Sequence, residues 1–215
     1  MVIPGVVGVA RARGGDATRP EPPGERAYLV YYRETLDAAE LRKLELEAEV
    51  IHRDLDAVEH RVAEASKGRF EIDAVDGWLA GMPTYVLVGE LATCDVLAGE
   101  LPRPEFPAAL GEGAARRWRA AAATALETAE SRASRGDVAG CAGLLAKATV
   151  ATAQARLAER GEWVLDEAGI VRRAGLGRTE AILAATGDRP LDLERAVTRM
   201  RVALGCPRPE GGARR

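Results

Sequence analysis

Glu25-Arg26-Ala27-Tyr28-Leu29-Val30-Tyr31-Tyr32-Arg33 is the stretch whose reading decides the fold. Tyr28 to Tyr32 is aromatic and aliphatic with no polar break, the pattern of a strand buried on both faces. A second run, Glu49-Val50-Ile51-His52-Arg53-Asp54, starts another short strand, and Val6 to Ala10 reads as a third. Arg11 to Gly24 is rich in Gly, Pro and charge and reads as a loop. Leu36, Leu41 and Leu44 lie near helical spacing and predict a helix over 37–46. Asp54 or Asp56 is placed to cap a further helix whose apolar face includes Leu55, Val58 and Val62, with Gly68 as its stop. Phe70 and Ile72 alternate with charge and suggest one more short strand. Residues 1–76 are therefore expected to form a small mixed α/β domain with a thin sheet.

From Trp78 onward the pattern changes to long Ala- and Leu-rich periodic segments. Helices are predicted from Thr84 to about Ala98 with Gly99 as terminator, over 114–134, over 138–160, from an Asp166 cap through Arg173, over 179–185 and over 192–204. Pro102, Pro104 and Pro107 make a stiff connector, and Gly136 separates the two longest helices. The fold class expected is α+β: a small N-terminal lobe over 1–76, a helical bundle domain over 77–206 and a polar, disordered tail over 207–215.

Composition supports that division. The chain has 215 residues, 47% of them hydrophobic but only 4% aromatic, so Ala, Leu and Val carry the packing. A formal net charge of −3 creates no global field toward nucleic acid or an anionic membrane. No apolar run approaches the ~20 residues of a membrane span. Met1-Val2-Ile3-Pro4-Gly5 lacks a basic region followed by an apolar core, so no signal peptide is expected. Cys94, Cys141 and Cys206 are scattered and odd in number; they fit free thiols in a reducing cytoplasm. His52 and His60 do not have metal-ligand spacing.

The acidic residues at the strand starts carry the chemistry-bearing pattern. Two carboxylates at i and i+2 lie on one face of a strand, and a third on a neighbouring strand can complete a set of hard oxygen ligands for Mg²⁺. Glu25, Ala27 and Glu49 occupy those three places. Together with Tyr31-Tyr32-Arg33-Glu34-Thr35-Leu36-Asp37, Arg53-Asp54-Leu55-Asp56, Gly89-Glu90-Leu91-Ala92 and Gly161-Glu162-Trp163-Val164, this layout resembles the nucleotidyltransferase superfamily, in particular the two-domain proteins of the kanamycin-nucleotidyltransferase type. The resemblance implies an Asp-x-Asp pair on the first strand and a third Asp on the second. Three carboxylates of that kind hold Mg²⁺ against a nucleoside triphosphate, which donates its nucleotide to a small hydroxylated acceptor such as an aminoglycoside-like antibiotic.

This chain departs from that pattern in two places. Glu25 and Glu49 remain as candidate metal ligands, but Ala27 cannot ligate at all. The family's small-residue turn after the first strand is replaced by Arg11-Ala12-Arg13-Gly14-Gly15. Gly14 and Gly15 can form an anion nest with Arg11 and Arg13 alongside; the same residues also read as a solvated basic loop. Glu90, on the first helix after the sheet, is the candidate catalytic base toward an acceptor hydroxyl, or an ordinary helix charge. The expectation is a protein impaired or inactive in Mg²⁺-dependent nucleotide transfer. The alternatives are a pseudoenzyme that binds a small molecule or a protein, or an enzyme using the same cleft for other chemistry.

Overall fold

The computed structural model describes residues 6–12, 27–33 and 49–206. The predicted helix over 37–46, most of the loop after Arg11 and the tail over 207–215 lie outside the described residues. Val6–Arg11 (β1), Ala27–Tyr32 (β2) and Glu49–Asp54 (β3) are strands, as their apolar runs predict. They join a fourth strand, Asp95–Gly99 (β6), in a mixed sheet of order β3-β2-β1-β6. β2 and β3 run parallel, and β1 is antiparallel to both of its neighbours.

Alternation along the strands sorts side chains onto two faces. Ala10, Leu29 and Tyr31 turn to one face and are fully buried there. On them pack Leu55 and Val58 of helix α1 (Leu55–Ala65), and Leu91 of helix α2 (Val86–Thr93) with its neighbour Cys94. Val30, of opposite parity, is also buried, so the middle of β2 is covered on both faces as its unbroken apolar run predicts. α1 starts where the sequence places it: the Asp54 carboxylate accepts hydrogen bonds from the Asp56 and Ala57 amides, satisfying donors that have no partner within the helix. Arg33 at the end of β2 forms ion pairs with Asp56 and Glu59 of α1.

Beyond α1, Ile72–Asp73 (β4) pairs antiparallel with Met82–Pro83 (β5), a partner the sequence does not announce. The helix expected from Thr84 to Ala98 is split. α2 ends at Thr93, Cys94 turns extended with φ −62° and ψ 153°, and the chain enters β6. Helical propensity in this segment gives way to backbone pairing with β1, which otherwise presents an open edge. Gly99, read as a helix terminator, instead sits at the end of β6 with φ +79°, where an added Cβ would lie 2.1 Å from the Val7 carbonyl oxygen.

The remaining elements are helical: Ala108–Ala133 (α3), Val138–Glu159 (α4), Ile170–Arg173 (α5), Arg178–Ala184 (α6) and Pro190–Leu204 (α7). Pro190 occupies the first turn of α7, where a missing amide costs nothing. Asp166 does not cap α5; its carboxylate accepts from the Ala168 amide, and Gly169 takes the cap position with φ 66°. Every residue of α4 from Ala148 to Ala155 is buried, so this stretch of the helix is enclosed on all sides rather than amphipathic. Its small side chains allow close approach, and the Thr149 and Thr152 hydroxyls are satisfied by the Leu145 and Ala148 carbonyls of their own helix.

The class is thus α+β, with a small mixed sheet toward the N-terminus and a helical C-terminal region. Two compact units are present. One comprises Met1–Val75, Gly81–Gly111 and Trp163–Ala168; the other comprises Asp76–Ala80, Glu112–Glu162 and Gly169–Arg215. α2 and β6, which follow Trp78, therefore belong to the same unit as the sheet.

Candidate functional site

The parallel pairing of β2 with β3 sets the geometry of the acidic strand starts. Ala27 is the register partner of Glu49, and Tyr31 is the register partner of Arg53. Positions 27, 29 and 31 share one face with positions 49, 51 and 53, the face that α1 and α2 pack against. Ala27, with no ligating group, thus lies directly beside the backbone of Glu49.

Glu90 reaches this face from α2. Its carboxylate accepts from Arg53 Nε to Oε2 at 2.8 Å and from Arg53 Nη2 to Oε1 at 3.0 Å, a two-point charge-assisted pair. The two side chains are 22% and 18% exposed, so the pair sits at the rim of the core. Glu90 is accordingly part-buried, as a Glu among Val88, Leu91 and Ala92 is expected to be. Both of its oxygens are engaged by Arg53. That contact lies four residues along β3 from Glu49, roughly 13 Å of strand.

Tyr31 stands beside this pair. Its side chain is fully buried, and its hydroxyl has no hydrogen-bond partner. Burial raises the phenol above its usual range, Cys94 and Glu90 add to the rise, and Arg53 opposes it. The phenol is therefore a neutral donor at any physiological pH. The Cys94 thiol is itself buried and donates to the Leu91 carbonyl at 3.4 Å, so it serves the core and not a nucleophilic site.

Of the other candidates, Arg11 is the last residue of β1, half-buried, with its Nε enclosed and unpartnered. Its alternation places it on the face opposite Ala10 and Leu29, away from Glu90. Glu25, Arg13, Gly14 and Gly15 lie outside the described residues, and of Glu49 only the backbone is described. Among the described residues, no group of three or more His, Cys, Asp or Glu side chains is placed to hold a metal ion.

Sequence reasoning missed Arg53 as the partner of Glu90 and Tyr31 as its neighbour. A signal was present: Arg53 has the parity of Ile51, and Tyr31 that of Leu29, so each puts a polar group on the apolar face of its strand.

Compared with known proteins, the chain matches no family model, no curated protein and no solved structure. Among the described residues, no helix is long and apolar enough to cross a membrane.

Proposed function

We propose that this chain is a degenerate nucleotidyltransferase-like protein that does not carry out efficient Mg²⁺-dependent nucleotide transfer to a hydroxylated acceptor. The single observation that carries the reading is the register of Ala27 against Glu49 at the start of two parallel strands. The sequence resemblance calls for a carboxylate on both strands there, and a methyl group occupies one of them. A metal held by fewer carboxylates neutralises less phosphate charge and lowers the pKa of the attacking group less.

The engagement of Glu90 supports the same reading. A general base must accept a proton from an acceptor hydroxyl within hydrogen-bond reach, and Arg53 already occupies both oxygens of this carboxylate. What such a protein retains is a binding role, toward a small molecule or a protein partner. Free thiols at Cys94, Cys141 and Cys206 fit a reducing compartment, and cytoplasmic residence belongs to the proposal.

The test is incubation of the unmodified chain with radiolabelled ATP, GTP or CTP, Mg²⁺ or Mn²⁺, and a panel of hydroxylated acceptors. The expected result is no multiple-turnover transfer. Sustained turnover with any nucleotide would overturn the proposal. Calorimetric titration of the same nucleotides with Mg²⁺ measures whether binding survives without catalysis.

A further inference from the structure

The formal charge of −3 for the whole chain combines two unlike parts. The sheet-bearing unit has 12 Arg and Lys against 21 Asp and Glu, or −9, and the helical unit has 18 against 12, or +6. Screening at physiological salt confines a surface field to about 8 Å, so a partner responds to the charge of the surface it touches more than to the chain's total. Part of the basic excess is concentrated where the end of α4 meets α5. Arg156 lies in the last turn of α4 and Arg160 just past it; Arg172 and Arg173 lie in α5, and Arg178 starts α6. No acidic residue occurs from Ala168 to Thr179.

Arg156 Nη1 donates to the Ala174 carbonyl at 3.2 Å, and Arg160 Nη1 donates to the Arg173 carbonyl at 3.0 Å. These are carbonyls at the end of α5, which no amide of that helix satisfies. A backbone carbonyl orients a guanidinium without cancelling its charge. Arg160 and Arg173 share Glu162, at 3.8 Å and 3.7 Å, too far for a hydrogen bond. Arg172 and Arg178 are exposed and make no side-chain hydrogen bond or ion pair among the described residues. Glu180 lies two residues beyond Arg178, and so nearly on the opposite side of α6. Gly175 and Gly177, between the arginines, are exposed and add no side chain to the surface.

We propose that this arginine patch binds the phosphate backbone of double-stranded nucleic acid without reading its sequence. A guanidinium meets phosphate oxygens at two points and keeps its charge at any physiological pH. Arg160, Arg172 and Arg178 are exposed, which suits an extended polyanion better than a small molecule that needs enclosure. Trp78 and Trp118 are the only aromatic residues of the helical unit. Neither lies in the segments that form the patch, and Trp118 is fully buried, so unpaired bases find no stacking platform on these segments. The charge density of a duplex then favours the paired form. The inference does not depend on the nucleotidyltransferase-like reading: it concerns the helical unit and needs no metal.

The experiment is fluorescence anisotropy of a labelled mixed-sequence DNA duplex of about 20 base pairs, titrated with the full chain without divalent metal. The expected result is saturable micromolar binding at about 50 mM NaCl, weakening roughly 100-fold by about 200 mM as three or four phosphates recapture their counterions. Arg172→Gln and Arg178→Gln are each expected to weaken binding about threefold, and together about tenfold, with a shallower salt dependence. Arg135→Gln is the control: this exposed arginine precedes the start of α4, roughly 30 Å along the helix from Arg160, and its loss is expected to cost less than twofold. In NMR spectra of the unmodified protein, the Arg172 and Arg178 Nε–H signals are expected to shift on addition of duplex. No saturable duplex binding at the lower salt overturns the proposal, whether or not the variants fold. So does an equal loss in Arg135→Gln and Arg172→Gln, which would leave net charge as the cause. Tighter binding to a single strand of the same length, or to phosphatidylserine vesicles, also overturns it, as does displacement of the duplex by low-millimolar inorganic phosphate. Nucleotide-transfer activity is silent in this experiment, so its outcome is separate from that of the proposed function.

Discussion

Arg53 on β3 and Glu90 on α2 are joined at two points, 2.8 Å and 3.0 Å, and this pair ties the sheet to the helix above it. A double-mutant cycle with Arg53→Met and Glu90→Gln measures the tie. Each single variant leaves the other charge part-buried beside the Tyr31 phenol. The expected cost of each is about 1–3 kcal/mol, with the double variant less destabilised than the sum. Additive losses in urea denaturation would show that the two residues act independently.

Rebuilding the strand carboxylates is not expected to create activity. Ala27→Asp with Glu25→Asp adds oxygen ligands but leaves Glu90 held by Arg53 and leaves the small-residue turn absent. The transfer assay with labelled ATP and Mg²⁺ is expected to stay at background for the double variant. Turnover appearing on that change alone would mean that the missing carboxylate is the only defect.

Gly99→Ala is expected to destabilise the protein by at least about 1–3 kcal/mol, because a φ of +79° is strained for any side chain and the new methyl group would run into the Val7 carbonyl. Gly77, whose φ of +86° is equally left-handed but whose Cβ would meet nothing within 4 Å, is the control. Gly77→Ala should cost less. Equal thermal midpoints for the two variants would contradict the close approach of β6 to β1.

Glu64 in the last turn of α1 accepts from Arg69 Nε at 2.6 Å and Nη2 at 2.6 Å, and from Lys67 Nζ at 3.4 Å. Hydrogen bonding to Arg69 is the main reason its carboxyl is held down to about 2, against an ordinary 4.5. A carboxylate depressed in the folded state adds stability above the unfolded value, and that contribution is lost as pH falls from about 4.5 through 2. Carbon-detected NMR titration of the Glu64 side chain should show a depressed midpoint. Arg69→Ala should return it toward 4.5, and high salt should raise it in part. An unchanged midpoint in Arg69→Ala would remove the assigned cause.

Gln154 is fully buried in α4, and neither its amide nitrogen nor its amide oxygen has a hydrogen-bond partner. Gln154→Met keeps an unbranched side chain of similar size while removing both polar atoms. It is expected to raise stability by about 1 kcal/mol, a gain of roughly 2–4 °C in Tm. A fall in Tm would mean that the amide is satisfied in solution, with ordered water as its partner.

Local patterns were the legible part of this molecule. The unbroken Tyr28–Tyr32 run, the Asp54 cap and the long Ala-rich segments each carry their cause within a few residues, and all three appear as read. β6 was illegible because its cause is distant: Asp95 to Gly99 follows a helix without a breaker and becomes extended by pairing with β1. The same holds for the Arg53–Glu90 pair. Both residues are visible in the sequence, but nothing local says that β3 and α2 meet there. Asp166 shows the converse error, an acidic residue before a short helix whose carboxylate is used one turn too early to cap it.

The path of the chain between its two compact units has a consequence for how the protein is made. Trp163–Ala168 belongs with the sheet, yet it leaves the ribosome only after α3, α4 and the whole of Glu112–Glu162 have been synthesised. Trp163 and Leu165 are the side chains that approach Gly89 of α2, and the Trp163 ring lies tilted at 54° to Phe106 with centroids 4.6 Å apart. The sheet-bearing unit therefore emerges first but is completed late, with its α2 surface bare in the interval. No single cut in the polypeptide yields both units whole. A fragment ending at Gly111 would carry all four strands of the sheet and still lack the Trp163–Ala168 segment that belongs to the same unit.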